Sequence, residues 1–141
     1  MLENQDLQNI KQLLATSKTI AVVGMTPHVY KPSYFVPKYL RDNGYDIYPV
    51  NPRYEQIDGL TCYPNLSAVP VRIDICEVFR RSEEVLAHAL EALQVKPRAF
   101  WMQSGIINLE AAKLLAEAGI QVIMDRCMYT DHFNLIARHN R

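Results

Sequence analysis

The sequence predicts an α/β fold: a single doubly wound, five-stranded parallel sheet with helices on both faces. Three observations predict it. Short, continuous apolar runs recur without polar alternation, as strands buried on both faces require. Segments with apolar residues at helical spacing lie between them. No internal repeat, low-complexity stretch or Pro/Gly/Ser-rich linker divides the chain, so residues 1–141 are expected to form one domain.

Leu7, Ile10, Leu13 and Leu14 fall on one face of an otherwise polar segment, which predicts an amphipathic N-terminal helix over about 4–16. Thr19–Val23 is a β-branched, apolar run closed by Gly24 and reads as the first buried strand. A helix over Ser33–Asn43 ends at Gly44, a residue suited to a left-handed cap, with Pro37 early enough that its lost hydrogen bond is cheap. Tyr45–Val50 is the second strand. The prolines and turn residues of Tyr54–Val71 predict a mostly irregular connection with one helical turn around Asn65–Ala68. Ile73–Phe79 is the third strand, and Ser82–Gln94 a helix opening on a serine cap and two glutamates. Ala99–Met102 is the fourth strand. Asn108–Ala118 is a helix capped by Asn108 and closed at Gly119, Gln121–Met124 the fifth strand, and a short helix follows over about 130–138.

With 49% hydrophobic and 21% charged residues the chain is not disordered, and 15 basic residues balance 15 acidic ones, so bulk charge does not suit nucleic acid. No apolar run approaches the roughly 18–20 residues of a membrane span, and Met1–Leu7 is unlike a secretory signal. A cytoplasmic protein with no nucleic-acid or membrane partner is expected. Cys62, Cys76 and Cys127 are odd in number and widely spaced, which fits neither a disulfide framework nor a CxxC pair; Cys76 reads as a buried small hydrophobe. His28, His88, His132 and His139 show no paired spacing, so no metal site is expected.

In such sheets ligands bind outside the carboxyl ends of the strands, where the strand order reverses. The first strand leads into Gly24-Met25-Thr26-Pro27-His28 and then Lys31-Pro32-Ser33 at a helix start, a place for a phosphate. The GxGxxG fingerprint and a Walker A motif are both missing, so a plain strand-to-helix turn is equally open. After the second strand stands Asn51-Pro52-Arg53, where an NAD site would place an acid. Arginine there suits an additional ribose phosphate, as in NADP or coenzyme A, or is a solvated loop charge. Phe79-Arg80-Arg81-Ser82 follows the third strand, Gln103-Ser104-Gly105 the fourth and Asp125-Arg126-Cys127 the fifth. The structural alternatives are caps at Ser82 and Ser104, a tight turn at Gly105 and a salt bridge near Asp125–Arg126. Lys31, Arg53, Arg80, Arg81 and Arg126, five of the 15 basic residues, converge on one sheet edge in this topology. A neutral total is therefore compatible with a local positive pocket.

These residues also carry a resemblance. Ile20–Gly24 with Lys31-Pro32-Ser33-Tyr34, Gly44-Tyr45 through Tyr48–Pro52, Val78-Phe79-Arg80, Trp101–Gly105 and Met124–Met128 follow in an order that resembles the small stand-alone CoA-binding domain proteins, over roughly residues 15–135. Those proteins are similar to the N-terminal CoA-binding domain of the succinyl-CoA synthetase α subunit. The resemblance implies a Rossmann-like fold with the nucleotide end of coenzyme A across the first three strand ends. It places Gly24, Met25, Thr26 and Pro27 in the phosphate-facing loop and Lys31 and Ser33 at the helix start. Asn51, Pro52 and Arg53 would lie near adenine and ribose, Phe79 and Arg80 beside the ligand, and Gln103, Ser104 and Gly105 toward the pantetheine arm. The synthetase's second domain, with its phosphorylated catalytic histidine, has no counterpart here, so the resemblance implies binding without the full ligase reaction. Asp131-His132 with Cys127 suggests a nucleophile and base, but spacing does not establish contact. Asp131 also suits a helix's first turn and His132 packing, so no catalytic residue is assigned. Cys127 could instead form a mixed disulfide with the CoA thiol. Three readings follow: a non-catalytic or regulatory module for coenzyme A or an acyl-CoA, an NADP-dependent oxidoreductase, and a protein-partner module with a vestigial nucleotide pocket.

Overall fold

The computed structural model describes residues 5–139. The first residue of the expected N-terminal helix, and both extreme ends of the expected domain, fall outside that range. The elements are α1 (Leu7–Thr16), β1 (Thr19–Val23), α2 (Pro32–Asp42), β2 (Asp46–Val50), β3 (Gln56–Ile57), β4 (Leu60–Thr61), β5 (Ile75–Val78), α3 (Val85–Val95), β6 (Ala99–Met102), α4 (Leu109–Glu117), β7 (Gln121–Ile123) and α5 (Met128–Leu135). The main sheet has five parallel strands in the order β2-β1-β5-β6-β7. It is the Rossmann-like, doubly wound α/β architecture that the sequence predicts.

Side chains alternate across each strand, so the sheet carries two cores. Ile20, Val22, Ile75, Trp101 and Ile123 pack with Leu13 and Leu14 of α1, Val36 and Leu40 of α2 and Met128 of α5. Ala21, Val23, Cys76, Val78, Phe100 and Val122 face the other way, against Val85, Ala89 and Ala92 of α3 and Ala111, Ala112 and Leu115 of α4. The alanines let α3 and α4 lie close to that face. Cys76 is fully buried, as its apolar run implies.

Several boundaries differ for local reasons. Asp6, not an earlier residue, caps α1, accepting from the Gln8 backbone N–H at 2.7 Å. The segment read as irregular contains a small hairpin, β3–β4, because Asp58 (φ 55°) and Gly59 (φ 80°) both take the left-handed conformation of a two-residue turn. The helical turn at Leu66–Ala68 forms as expected, with Asn65 capping it. Residues 82–84 make a separate 3-10 turn before α3 begins at Val85. Ser82 does not cap this helix; its Oγ accepts from the Ile107 N–H at 3.0 Å instead. The last helix starts at Met128, ahead of the expected position near residue 130, and ends at Leu135, followed by a 3-10 turn over Ala137–His139.

Pro37 lies inside α2 rather than at its edge. In an unbroken helix its N–H would bond the Ser33 carbonyl, and proline has no N–H to give. The Thr26 N–H, from the loop after β1, donates to that carbonyl at 3.2 Å. The proline thus leaves open an acceptor that ties the loop to the first turn of the helix.

Candidate functional site

The strand order reverses between β1 and β5, and this crossing point is where such sheets hold ligands. Backbone bonds carry the ladder past the strand ends: Gly24 N–H donates to Val50 O and Phe79 N–H to Val23 O, each at 2.8 Å. Gly24 has φ +87°, and a Cβ built there would collide with the Phe79 carbonyl. Only glycine permits that approach. Arg80, the next residue, is half-buried beside Gly24, and its Nε has no partner.

The loop after β1 is tied down. Thr26 Oγ1 and Ser33 Oγ are hydrogen-bonded at 2.9 Å, and the His28 N–H donates to Thr26 Oγ1 at 3.4 Å. Met25 is buried in the core, so what it offers the surface is backbone. Asn51 is buried and acts as a clasp between the β1 and β2 ends: its Nδ2 donates to Met25 O and its Oδ1 accepts from Arg53 N–H, both at 3.0 Å. Pro27, Pro52 and Arg53 are exposed on this side.

A cavity of about 580 Å³ opens beyond the crossing point, lined by Lys31–Ser33, Phe35 and Val36 of α2, residues 79–83, residues 103–106 and Cys127. It brings together Lys31, Ser33, Phe79, Arg80, Gln103, Ser104 and Gly105 among the residues singled out from sequence. Gly24, Met25, Thr26, Pro27, Asn51, Pro52 and Arg53 form the adjoining β1–β2 margin and do not line it. Phe35, Val36 and Ile106 were not singled out for this wall, because an apolar residue beside a polar motif carries no sequence mark of ligand contact, whereas Cys127, read from sequence as able to meet the CoA thiol, does line it. Gln103 is buried, and its Oε1 accepts from Met128 N–H at 2.9 Å, fixing the start of α5. Gly105 N–H donates to Asp125 Oδ1 at 2.6 Å, closing the turn at the cavity rim.

The five converging basic residues divide. Arg126 grips Asp131 through Nε at 2.7 Å and Nη2 at 2.8 Å, which holds its pKa above the usual value. The salt bridge read near Asp125–Arg126 therefore runs to Asp131. Arg81 pairs with Glu84 at 3.1 Å. Lys31, Arg53 and Arg80 have no carboxylate partner among the described residues. His132 is buried, with Nδ1 2.9 Å from Tyr39 Oη and its ring edge-on to Tyr39 and Tyr45. Burial lowers its pKa, so it packs as a neutral ring. The side chains of Asp131 and His132 are thus engaged with Arg126 and Tyr39. Among the described residues no group of His, Cys, Asp or Glu could hold a metal ion, and no helix is long and apolar enough to cross a membrane.

Known proteins agree with this geometry. YneT, an uncharacterised protein of Bacillus subtilis (strain 168), is 40% identical over 131 residues, which are 93% of this chain and 97% of that protein. The structure of cell-free ID.343 from Thermus thermophilus superposes with a TM-score of 0.89 at 38% identity, over 93% of this chain and 99% of that one. ADP-forming acetate–CoA ligase I of Archaeoglobus fulgidus is 36% identical over 58 residues, 41% of this chain but 8% of the ligase. The family model of the CoA binding domain matches residues 18–133, and the chain belongs to that family.

Proposed function

We propose that the protein binds coenzyme A or an acyl-CoA across the carboxyl ends of its strands, as a binding or regulatory module without chemistry of its own. Arg80 carries this reading. Its buried, unpartnered Nε stands beside Gly24 in the cavity wall at the crossing point. An unsatisfied buried donor costs on the order of 1–3 kcal/mol, and a phosphate oxygen is the acceptor that removes the cost. The diphosphate lies over Gly24–Pro27 between Arg80 and Lys31, near Ser33. Adenosine extends over Asn51 and Pro52 with its 3′-phosphate at Arg53, and the pantetheine arm passes Phe79 into the cavity toward Gln103, Ser104 and Gly105. Engagement of Asp131 and His132 in structural bonds supports the absence of a catalytic dyad.

Calorimetry with coenzyme A, dephospho-CoA and NADPH tests the reading. Coenzyme A is expected to bind most tightly, and Arg80→Ala to weaken both CoA forms. Arg53→Ala is expected to cost coenzyme A on the order of 1.5–3 kcal/mol, roughly ten- to a hundredfold, and dephospho-CoA little. Equal losses for the two ligands would remove Arg53 from the 3′-phosphate. Tight NADPH binding without competition from coenzyme A would favour the oxidoreductase reading.

A further inference from the structure

The cavity at the strand ends changes in chemistry along its length. Of the cations in its wall, Lys31 follows β1 and Arg80 follows β5, so both stand at the crossing point, and neither has a carboxylate partner among the described residues. Arg81 is already engaged, with Glu83 at 3.8 Å and Glu84 at 3.1 Å. Glu83 itself stands in the wall. Arg126, after β7, is outside the cavity lining and bound to Asp131.

Toward β7 the wall is apolar on both sides. Phe35 lies one helical turn before Tyr39, and Tyr39 stacks on Tyr129 of α5 with ring centroids 3.8 Å apart. That places Phe35 on the stripe of α2 that faces the start of α5, just past β7. It is 41% exposed, although it is a large apolar side chain in a cavity wall. From the other side comes Ile106, whose carbonyl accepts from Asp125 N–H at 3.2 Å and so holds the turn after β6 against the end of β7. Its half-buried side chain packs on the core beneath α3 and α4. Val36 and Phe79 also line the cavity.

From this polarity we infer that the far end of the cavity receives the acyl group of an acyl-CoA, and that the group it selects is a short, uncharged aliphatic chain. The inference rests on the CoA-binding reading above. With the diphosphate at the crossing point, an extended pantetheine arm runs two to three inter-strand spacings, about 10–15 Å, and brings the thioester to the β6–β7 end. There Phe35 and Ile106 are the surfaces an aliphatic chain covers, and each methylene removed from water favours binding. A chain ending in a carboxylate carries its charge past β5, where the described wall offers no unpaired cation and Glu83 adds a like charge. Desolvation of that carboxylate offsets what its methylenes gain.

Calorimetry with coenzyme A, acetyl-CoA, butyryl-CoA and succinyl-CoA tests the inference, since the last two share a four-carbon chain and differ in its terminal charge. Affinity is expected to rise about three- to fourfold per methylene, and so about tenfold from acetyl-CoA to butyryl-CoA. Succinyl-CoA is expected to bind no tighter than acetyl-CoA. Phe35→Ala is expected to flatten the rise from acetyl-CoA to butyryl-CoA to about threefold or less. Phe35→Lys supplies a cation at the same place and is expected to reverse the order of butyryl-CoA and succinyl-CoA. Equal affinities for acetyl-CoA and butyryl-CoA, succinyl-CoA binding as tightly as butyryl-CoA, a rise that survives Phe35→Ala, or an unchanged order in Phe35→Lys would overturn the acyl site and leave the CoA-binding reading intact. Absence of binding by every one of these ligands would overturn both.

Discussion

At the scale of single residues, Glu77 is a costly position, a carboxyl whose two oxygens are buried without a hydrogen-bond partner. It lies fully buried in the central strand, and burial pushes its carboxyl well above the usual value, with Cys127 adding a smaller push in the same direction. The folded protein therefore holds it protonated, while the unfolded chain ionises it near 4.5. Above that pH the unfolded state binds fewer protons than the folded one, so this group's contribution to stability falls as pH rises, by up to about 1.4 kcal/mol per pH unit, until the folded-state pKa is passed. Glu77→Gln removes the titration and keeps the shape. Thermal melts of both proteins from pH 4 to 8 are expected to show the variant gaining on the parent throughout the rise above pH 4.5. A constant difference in Tm would mean that Glu77 is ionised in the fold. Other titrating groups are common to both chains and cancel in the comparison.

At the scale of elements, the alternation of strand and helix is legible in sequence because buried parallel strands need unbroken apolar runs, as at Thr19–Val23 and Ala99–Met102. Cap chemistry reads just as well at Asn108, whose Oδ1 accepts from Ala111 N–H at 2.9 Å. It fails at Ser82, where a tertiary partner, Ile107, outcompetes the local cap. The Asp58-Gly59 turn went unread within a proline-rich stretch, although that dipeptide suits a two-residue hairpin. In the site, the strand-end position of Arg80 and Arg126 is legible but their charge state of pairing is not, since Asp131 claims Arg126 through three-dimensional proximity alone. Pro37 is the least legible contribution: its effect lies in the Ser33 carbonyl it leaves to Thr26. Pro37→Ala restores a competing donor inside α2. Melting temperature is expected to hold or rise while CoA affinity falls by about 1 kcal/mol, roughly fivefold, as the Thr26 loop loosens. Loss of stability and affinity in parallel would instead show that the proline only supports the helix.

At the scale of the whole molecule, zero net charge conceals an uneven field. Arg81 and Arg126 are neutralised by neighbouring acids, which leaves Lys31, Arg53 and Arg80 facing the strand ends with no carboxylate partner among the described residues. These three differ in depth, since Lys31 and Arg53 are exposed whereas Arg80 is half-buried with its Nε shielded from solvent. Salt screens exposed charges over a Debye length that shrinks from about 10 Å at 0.1 M to about 3 Å at 1 M, and screens buried ones much less. Affinity for coenzyme A is therefore expected to fall with added salt, and the loss caused by Lys31→Ala to shrink in step. The loss caused by Arg80→Ala is expected to persist at every ionic strength, because it removes a desolvated hydrogen bond together with the charge. Calorimetric titrations at a low and a high salt concentration separate the two. If both substitutions lose their effect in high salt, Arg80 acts as one more surface charge, and the crossing point holds no dedicated phosphate contact.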